Sequence, residues 1–498
     1  MDASARFFSA TSNGWSTLRR VHESEVVSPK SKRRSSSKVT EATRVALVHL
    51  GCARNLIDSE LILARLAEEG CVVCGDVQEA QVAVLNTCSF IGPAREESEA
   101  ALEGLLERKR RGELEGVVVA GCLVQRYSHA LEKRYPEVDL FSEISDYSEL
   151  ARAVRAFGEG SAFPRYLEAG GLRAPSREGA RLLATPGSYA YLRISHGCDH
   201  GCSFCAIPSI RGEHRSKSLG DLADETRELI DAGVRELVLV AEDSTAWGRD
   251  HGRELPELIE TLAELGGSHR LRLMYAYPNR FPWELCELLR DHPRVLPYLD
   301  IPVQHIATPV LRAMRRAGSG DQVRAILDRL MEEVPGITLR TTLLLGFPGE
   351  TDRDAAELPQ FIRDYGLGRL GAFSYSPEEG TPAFHLEENL PEDVVNERLR
   401  AVYEARDECL RSSQEAHVGQ DIEVLIDERH EVDGESFLVG RADMDAPEVD
   451  LIAKVSRLDA AVGDRIPVRV LELDDEFNLI CGPSTRELDN DKHDGGAN

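Results

Sequence analysis

The chain has 498 residues, and 59 Lys and Arg against 86 Asp and Glu leave a formal net charge of −27. That length is room for roughly three domains, and a hydrophobic share of 42% is enough to give them real cores. No apolar run approaches the roughly 18 residues that span a bilayer, which excludes a membrane protein, and the acidity argues against a generic polyanion binder. The 11 cysteines are odd in number and no signal-peptide core precedes them. They read as reduced thiols of a cytoplasmic chain, not as a disulfide framework.

Residues 1–42, with "SPKSKRRSSSKVTEAT", lack an apolar period and predict a disordered tail. Glu23 and Glu25 count against a transit peptide there. From 43 to 150, "VALVHLG", "VAVLNT", "VVVAG" and "VDLF" alternate with helical stretches, the first over Asn55 to Glu69. That alternation predicts βαβ units and an open parallel sheet. Residues 151–187 read as a linker. From 188 to 412, "YAYLRIS", "ELVLVAED", "LRLMYAY", "YLDIPV", "TLRTTLLLGF" and "RLGAFSYS" predict a complete or partial TIM-like β/α barrel. Between 414 and 483, five short strands with turn residues between them predict a small OB-like barrel. Residues 484–498 read as a polar tail. The fold class is therefore α/β with a small β-barrel appended.

Cys198, Cys202 and Cys205 form a C-x3-C-x2-C array in "YLRISHGCDHGCSFCAIPSIRG". Gly197, Gly201 and Pro208 point to a loop rather than a helix. It directly follows a strand, at the carboxyl end where barrels build active sites. Zinc is one reading, with His196 or His200 as fourth ligand. The stronger one is a 4Fe-4S cluster on three thiolates with one iron left open, able to chelate the amino and carboxylate groups of S-adenosylmethionine. A second set, Cys52, Cys88 and Cys122, ends three separate strand runs. In an open parallel sheet all such ends lie on one edge, where ligands bind, so these three thiols predict a second cluster. Cys71 and Cys74 form a C-x-x-C inside an apolar run and read as incidental strand thiols; Cys286, Cys409 and Cys481 read as packing residues.

The array, with an aromatic residue before its third cysteine, resembles the radical S-adenosylmethionine superfamily. The order of modules, with "GCARNLIDSE", "NTCSFI", "GCLVQRY", "LPYLDIPVQH", "LLLGFPGET" and "YSPEEGTPA", resembles the methylthiotransferases over residues 43 to 483. The resemblance implies a radical cluster on Cys198, Cys202 and Cys205, an auxiliary 4Fe-4S cluster on Cys52, Cys88 and Cys122, and a C-terminal TRAM barrel. It also implies two uses of S-adenosylmethionine, as methyl donor and as radical source. "CDHGCSFCAIPSIRG", "PYLDIPVQH", "YSPEEGT" and "GRADMDAPEVD" are similar to the RimO branch, which modifies the β-carbon of an aspartate in small-subunit ribosomal protein twelve. The MiaB branch, which modifies a tRNA adenosine, is the alternative, and a noncatalytic metal-stabilised module docking on the ribosome is a third reading. Departures include Ala53-Arg54 where the family shows Pro-Lys, "AEDSTAWG" for a Gln-Asp-Thr-Thr run, and His196 for Glu. None touches a cluster ligand.

Charge bears on the choice of substrate. From Gln414 to Pro483 there are eighteen Asp and Glu against six Lys and Arg, a net of −12. An RNA-binding barrel should present a basic groove; this one argues against nucleic acid as direct substrate and suits a basic ribosomal protein. An aspartate C–H bond lies beyond acid–base chemistry, hence the need for a cofactor. The reaction implies an electron donor such as a flavodoxin or ferredoxin and a sulfur donor. Glu242 and Asp243, at the end of "LVLV", are candidates to contact S-adenosylmethionine. Nothing in the sequence signals more than a monomer.

Overall fold

A computed structural model describes residues 42–169, 176–316, 318–386, 389–432 and 435–484. The tails expected at 1–42 and 484–498 lie, but for one residue each, outside that description. The described chain divides into two compact units, one up to residue 182 and one from 183 onward, with residues 90–92 and 176–179 counted in the second.

The first unit is a parallel sheet of β1 (Arg44–His49), β2 (Val72–Cys74), β3 (Val82–Thr87), β4 (Gly116–Gly121), β5 (Leu140–Ser142) and β6 (Tyr166–Leu167), in the order β2-β1-β3-β4-β5-β6. Every residue of β3 and β4 is buried, as expected of strands covered on both faces. Helix Ala53–Glu68 buries Leu56, Ile57, Leu61 and Ile62, an i, i+1, i+5 apolar face. The Cys71–Cys74 pair does fall at strand β2. The sheet unit runs further than the sequence suggested. Most of helix Ser148–Gly158 and all of strand β6 lie inside the segment read as a linker. The helix buries Leu150, Ala151, Ala153 and Val154, a helical spacing that the flanking Gly and Pro residues obscured.

The second unit begins with β7 (Tyr189–Arg193) and a small antiparallel pair, β8 (Ser195–His196) with β9 (Arg215–Ser216). Strands β10 (Glu236–Val240), β11 (Arg270–Leu273), β12 (Val295–Asp300), β13 (Thr338–Leu345) and β14 (Arg369–Ser374) complete a six-stranded parallel sheet with β7. All six expected runs are present, and β7 and β14 remain edges, so the barrel is partial. Along the strands Ala190, Leu192, Leu237, Leu239, Leu271, Leu273 and Leu299 join one apolar cluster with the helices. By the period of two, Tyr189, Tyr191, Glu236, Arg270, Arg272 and Tyr298 face the opposite, concave side.

Helix Glu392–Glu415 leads to a closed barrel of β15 (Asp421–Val432), β16 (Glu435–Ala442), β17 (Ala453–Ser456), β18 (Arg465–Leu473) and β19 (Leu479–Pro483). Its segment 443–450 meets the polar concave side of the parallel sheet. Asp445 pairs with Arg369 at 2.8 Å, and Asp450 accepts from Tyr298 at 2.6 Å. Glu448 accepts from Tyr189 and Tyr191, and Asp443 pairs with Arg270. Arg441 bridges Asp427 of its own barrel, at 2.7 Å, and Glu236 of β10, at 3.1 Å. With Glu423, which also pairs with Arg270, at least five of the eighteen acids are spent on the neighbouring sheet. The acidity read as a docking face is in good part an internal plug at the amino end of the parallel strands, and its weight as evidence about a partner falls accordingly.

Burial alone would raise the Glu236 carboxyl; Arg272 and Arg441 outweigh it and hold it at about 2. Such a depressed group stabilises the fold fully above the ordinary carboxylate value of 4.5 and loses that contribution as pH falls towards 2. Arg441→Met leaves the buried Asp427 carboxylate without its guanidinium and Glu236 with Arg272 alone, and should cost about 3–5 kcal/mol near neutral pH. Thermal unfolding measured against pH should show the gap to wild type closing as pH falls from 4.5 towards 2; a gap constant across that range would contradict the assignment.

Candidate active site

In the first unit the strand order reverses at β1, the topological switch point where open α/β sheets bind ligands. Thr87 pairs with Gly121 in register, so Cys88 and Cys122 are the next residues out from adjacent strands. His49 pairs with Asn86, and Cys52 follows three residues beyond it. The sequence therefore places its three thiols on three adjacent strand ends, as expected. Gly51, just before Cys52, packs tightly against Cys88. Its φ is +106°, and a Cβ there would sit 2.8 Å from Cys88 Cβ and 3.2 Å from its Sγ.

Three polar residues not singled out in the sequence lock these ends together. Asn55 Nδ2 donates to Leu50 O at 2.6 Å and Thr87 O at 3.2 Å. Asn86 Nδ2 donates to Asn55 O and to Ser59 Oγ. Thr87 Oγ1 donates to Ala120 O and accepts from Leu123 N. Cys52 caps helix Ala53–Glu68, and Cys122 opens helix Cys122–Tyr127; positive helix ends favour thiolate. Three thiols outside any disulfide, at three adjacent strand ends, suit an iron–sulfur cluster.

In the second unit Cys198, Cys202 and Cys205 lie on the loop between β8 and β9, at the carboxyl end of the first barrel strand. Gly197, with φ +74°, lets the loop pass Glu213 O, which a Cβ would meet at 2.1 Å. Cys198 N donates to Gly212 O, and Ser203 is tied through its N–H to Met314 O and its Oγ to Ala313 O. Burial, then the thiolates of Cys205 and Cys202 with Asp243, push the Cys198 thiol up to about 12, against the His200 N–H. A metal is what makes such a thiol ionise, since coordination removes the proton outright.

The two histidines considered as zinc ligands are engaged elsewhere. His196 lies 3.8 Å from Glu178. His200 Nε2 is 2.7 Å from Asp243 Oδ2, and its ring stacks on Tyr277 with centroids 3.7 Å apart. Asp243, 2% exposed, also accepts from Thr245 N and Oγ1 through Oδ1. Its two oxygens thus tie the cluster loop to the following turn, so Asp243 anchors that loop. Its neighbour Glu242 is half-buried at the same strand end, where its charge opposes the burial that pulls Arg215 down. A cavity of about 440 Å³ opens beside Cys198, lined also by His200, His214, Asp243, Arg249 and Arg280.

Three family models match: the Radical SAM superfamily over residues 192–362, the Uncharacterized protein family UPF0004 over 44–143 and the TRAM domain over 418–480. A Trichlorobacter lovleyi protein is 40% identical over 440 residues, covering 88% of this chain and 97% of its own. An Aquifex aeolicus protein is 38% identical over 449 residues, covering 90% and 98%. Both bear the name ribosomal protein uS12 methylthiotransferase RimO. The chain belongs to the RimO family. Among solved structures, the radical S-adenosylmethionine methyltransferase TsrM from Kitasatospora setae, with cobalamin and a [4Fe-4S] cluster bound, shows a partial likeness. The TM-score is 0.49 at 16% identity, over 69% of this chain and 77% of that one.

Family membership brings two 4Fe-4S clusters and S-adenosylmethionine to a chain whose thiols already stand in two sets of three. Replacing Cys52, Cys88 and Cys122 together by Ala should halve the iron of anaerobically reconstituted protein, from about eight to about four atoms per chain. Iron content equal to wild type would remove these three from the ligand set.

Proposed function

We propose that the protein inserts a methylthio group at the β-carbon of an aspartate of ribosomal protein uS12. The observation that carries this reading is the family match across nearly the whole chain, joined to two three-thiol sets at strand ends. It is a sulfur-group transferase of the radical S-adenosylmethionine class. Cys198, Cys202 and Cys205 would hold the radical cluster and Cys52, Cys88 and Cys122 the auxiliary one. When bound, these groups supply one-electron cleavage of S-adenosylmethionine, and with it a radical able to take hydrogen from an unactivated carbon.

The chain's own residues set the stage for that chemistry. The bonds of His200 to Asp243 and of Ser203 to the turn at Ala313–Met314 fix the loop that carries three ligands. Glu242 is the carboxylate we assign to contact with S-adenosylmethionine. The acidic segment 443–450 occupies the amino end of the parallel strands, so substrate reaches the thiols from the carboxyl end. Turnover also calls for a low-potential electron donor such as a flavodoxin or ferredoxin, and for a source of sulfur. Among the described residues no helix is long and apolar enough to cross a membrane. We place the reaction in the cytoplasm, where uS12 is assembled, by a monomer.

Mass spectrometry of ribosomal proteins and tRNA from cells with and without the gene separates the branches. Loss of the methylthio mark from uS12, with tRNA unchanged, is expected. Loss of a tRNA mark with uS12 untouched would transfer the protein to the MiaB branch.

A further inference from the structure

Arg316 lies 114 residues from Cys202 in sequence yet reaches it in space. Its Nη1 is 3.9 Å from Cys202 Sγ, in donor geometry. Its other terminal nitrogen donates to Pro302 O, and its guanidinium carbon lies 4.3 Å from the centroid of Tyr277. That ring also carries His200 at 3.7 Å. Tyr277 is in contact with both groups. The column His200–Tyr277–Arg316 thus starts inside the cluster loop and returns to it at Cys202. Asp243 holds one end through His200.

Two features set Arg316 apart from an ordinary structural arginine. Among the described residues it makes no ion pair with a carboxylate, whereas Arg193, Arg272, Arg369, Arg398 and Arg441 all do. Its charge is therefore available to the thiolate. Its side chain is also held at three points, by a ring face, a carbonyl and a sulfur, so the entropy of its long rotamer chain is already lost before a cluster binds. A guanidinium stacked on an aromatic face remains fully charged and weakly hydrated.

We propose that Arg316 is a positioning residue that sets the reduction potential of the radical cluster by donating a charged hydrogen bond to the Cys202 sulfur. This rests on the assignment of Cys198, Cys202 and Cys205 as cluster ligands. The physical ground is simple. Reduction adds one electron and no proton to a site already rich in thiolate, and a fixed cation with an N–H···S bond favours the more negative state. Hydrogen bonds to sulfur and net charge are among the main determinants of such potentials. Removing the cation should make the cluster harder to reduce.

The test uses full-length protein with Cys52, Cys88 and Cys122 changed to Ala, so that one cluster remains, and reads the reduced fraction by EPR in a redox titration without S-adenosylmethionine. Arg316→Gln should keep its iron, and at the parent's midpoint its ratio of reduced to oxidised cluster should fall about tenfold, a shift of about 59 mV for one electron. Arg316→Lys, which keeps charge but not the fork, should fall between the two. An unchanged midpoint in an iron-loaded Arg316→Gln would overturn the proposal. So would loss of iron in Arg316→Gln with an unchanged midpoint in Arg316→Lys, which would make Arg316 a structural clamp. Absence of iron in the parent would instead overturn the ligand assignment and the proposal with it.

Discussion

A parallel sheet has one carboxyl edge, and each proposed ligand thiol of this chain is placed by that constraint. β1, β3 and β4 are adjacent, and each is followed within three residues by a cysteine. β7 leads through β8 into the loop that holds the other three. Backbone pairing thus does work that would otherwise need six separately positioned side chains. Glycines before the cysteines, Gly51 and Gly197, let the backbone pass close to Cys88 and to Glu213 O respectively. The polar residues around them, Asn55, Asn86 and Thr87 on one side and His200 and Asp243 on the other, spend their hydrogen bonds on loop geometry. The two sites share a design: strand end, tight loop, thiol, and a buried polar tie behind it.

The second organising feature is the join between the partial barrel and the small one. Ionised groups this deeply buried are tolerable only when paired, because an unpaired buried charge costs far more than its partner returns. Arg441, Glu236, Asp427, Arg369, Asp445 and Asp450 satisfy that condition as a network. Buried ion pairs are modest sources of stability but demanding of register, which suits a join whose role is to set one module on another. The net charge of −27 is a poor guide to partners for this reason. Part of the acid in the small barrel answers arginines of the neighbouring sheet and never meets a partner.

The sequence made the fold largely legible because its signals were local and periodic. Short apolar runs marked all six strands of the partial barrel, and turn residues marked the five of the small one. The strand-end positions of Cys52, Cys88 and Cys122 were legible because each ends an apolar run, and the loop of Cys198, Cys202 and Cys205 because of its spacing and its glycines. Helix Ser148–Gly158 was missed because Gly and Pro residues flank a short apolar face. The bond of Asp243 to His200 was not legible because the two lie 43 residues apart and nothing local links them. Arg316 sits in "MRRAG", a run with no motif; only folding brings it to Cys202. The plug of 443–450 was visible as a string of acids, but its partners are scattered over five strands.

The most direct measurement is Mössbauer spectroscopy of iron-57 protein reconstituted without oxygen, recorded before and after adding S-adenosylmethionine. Two four-iron clusters in equal amount are expected, with S-adenosylmethionine perturbing one of them, the one that disappears when Cys198, Cys202 and Cys205 are changed to Ala. A single cluster per chain, or a perturbed cluster that survives those changes, would contradict the assignment of two thiol sets to two separate clusters.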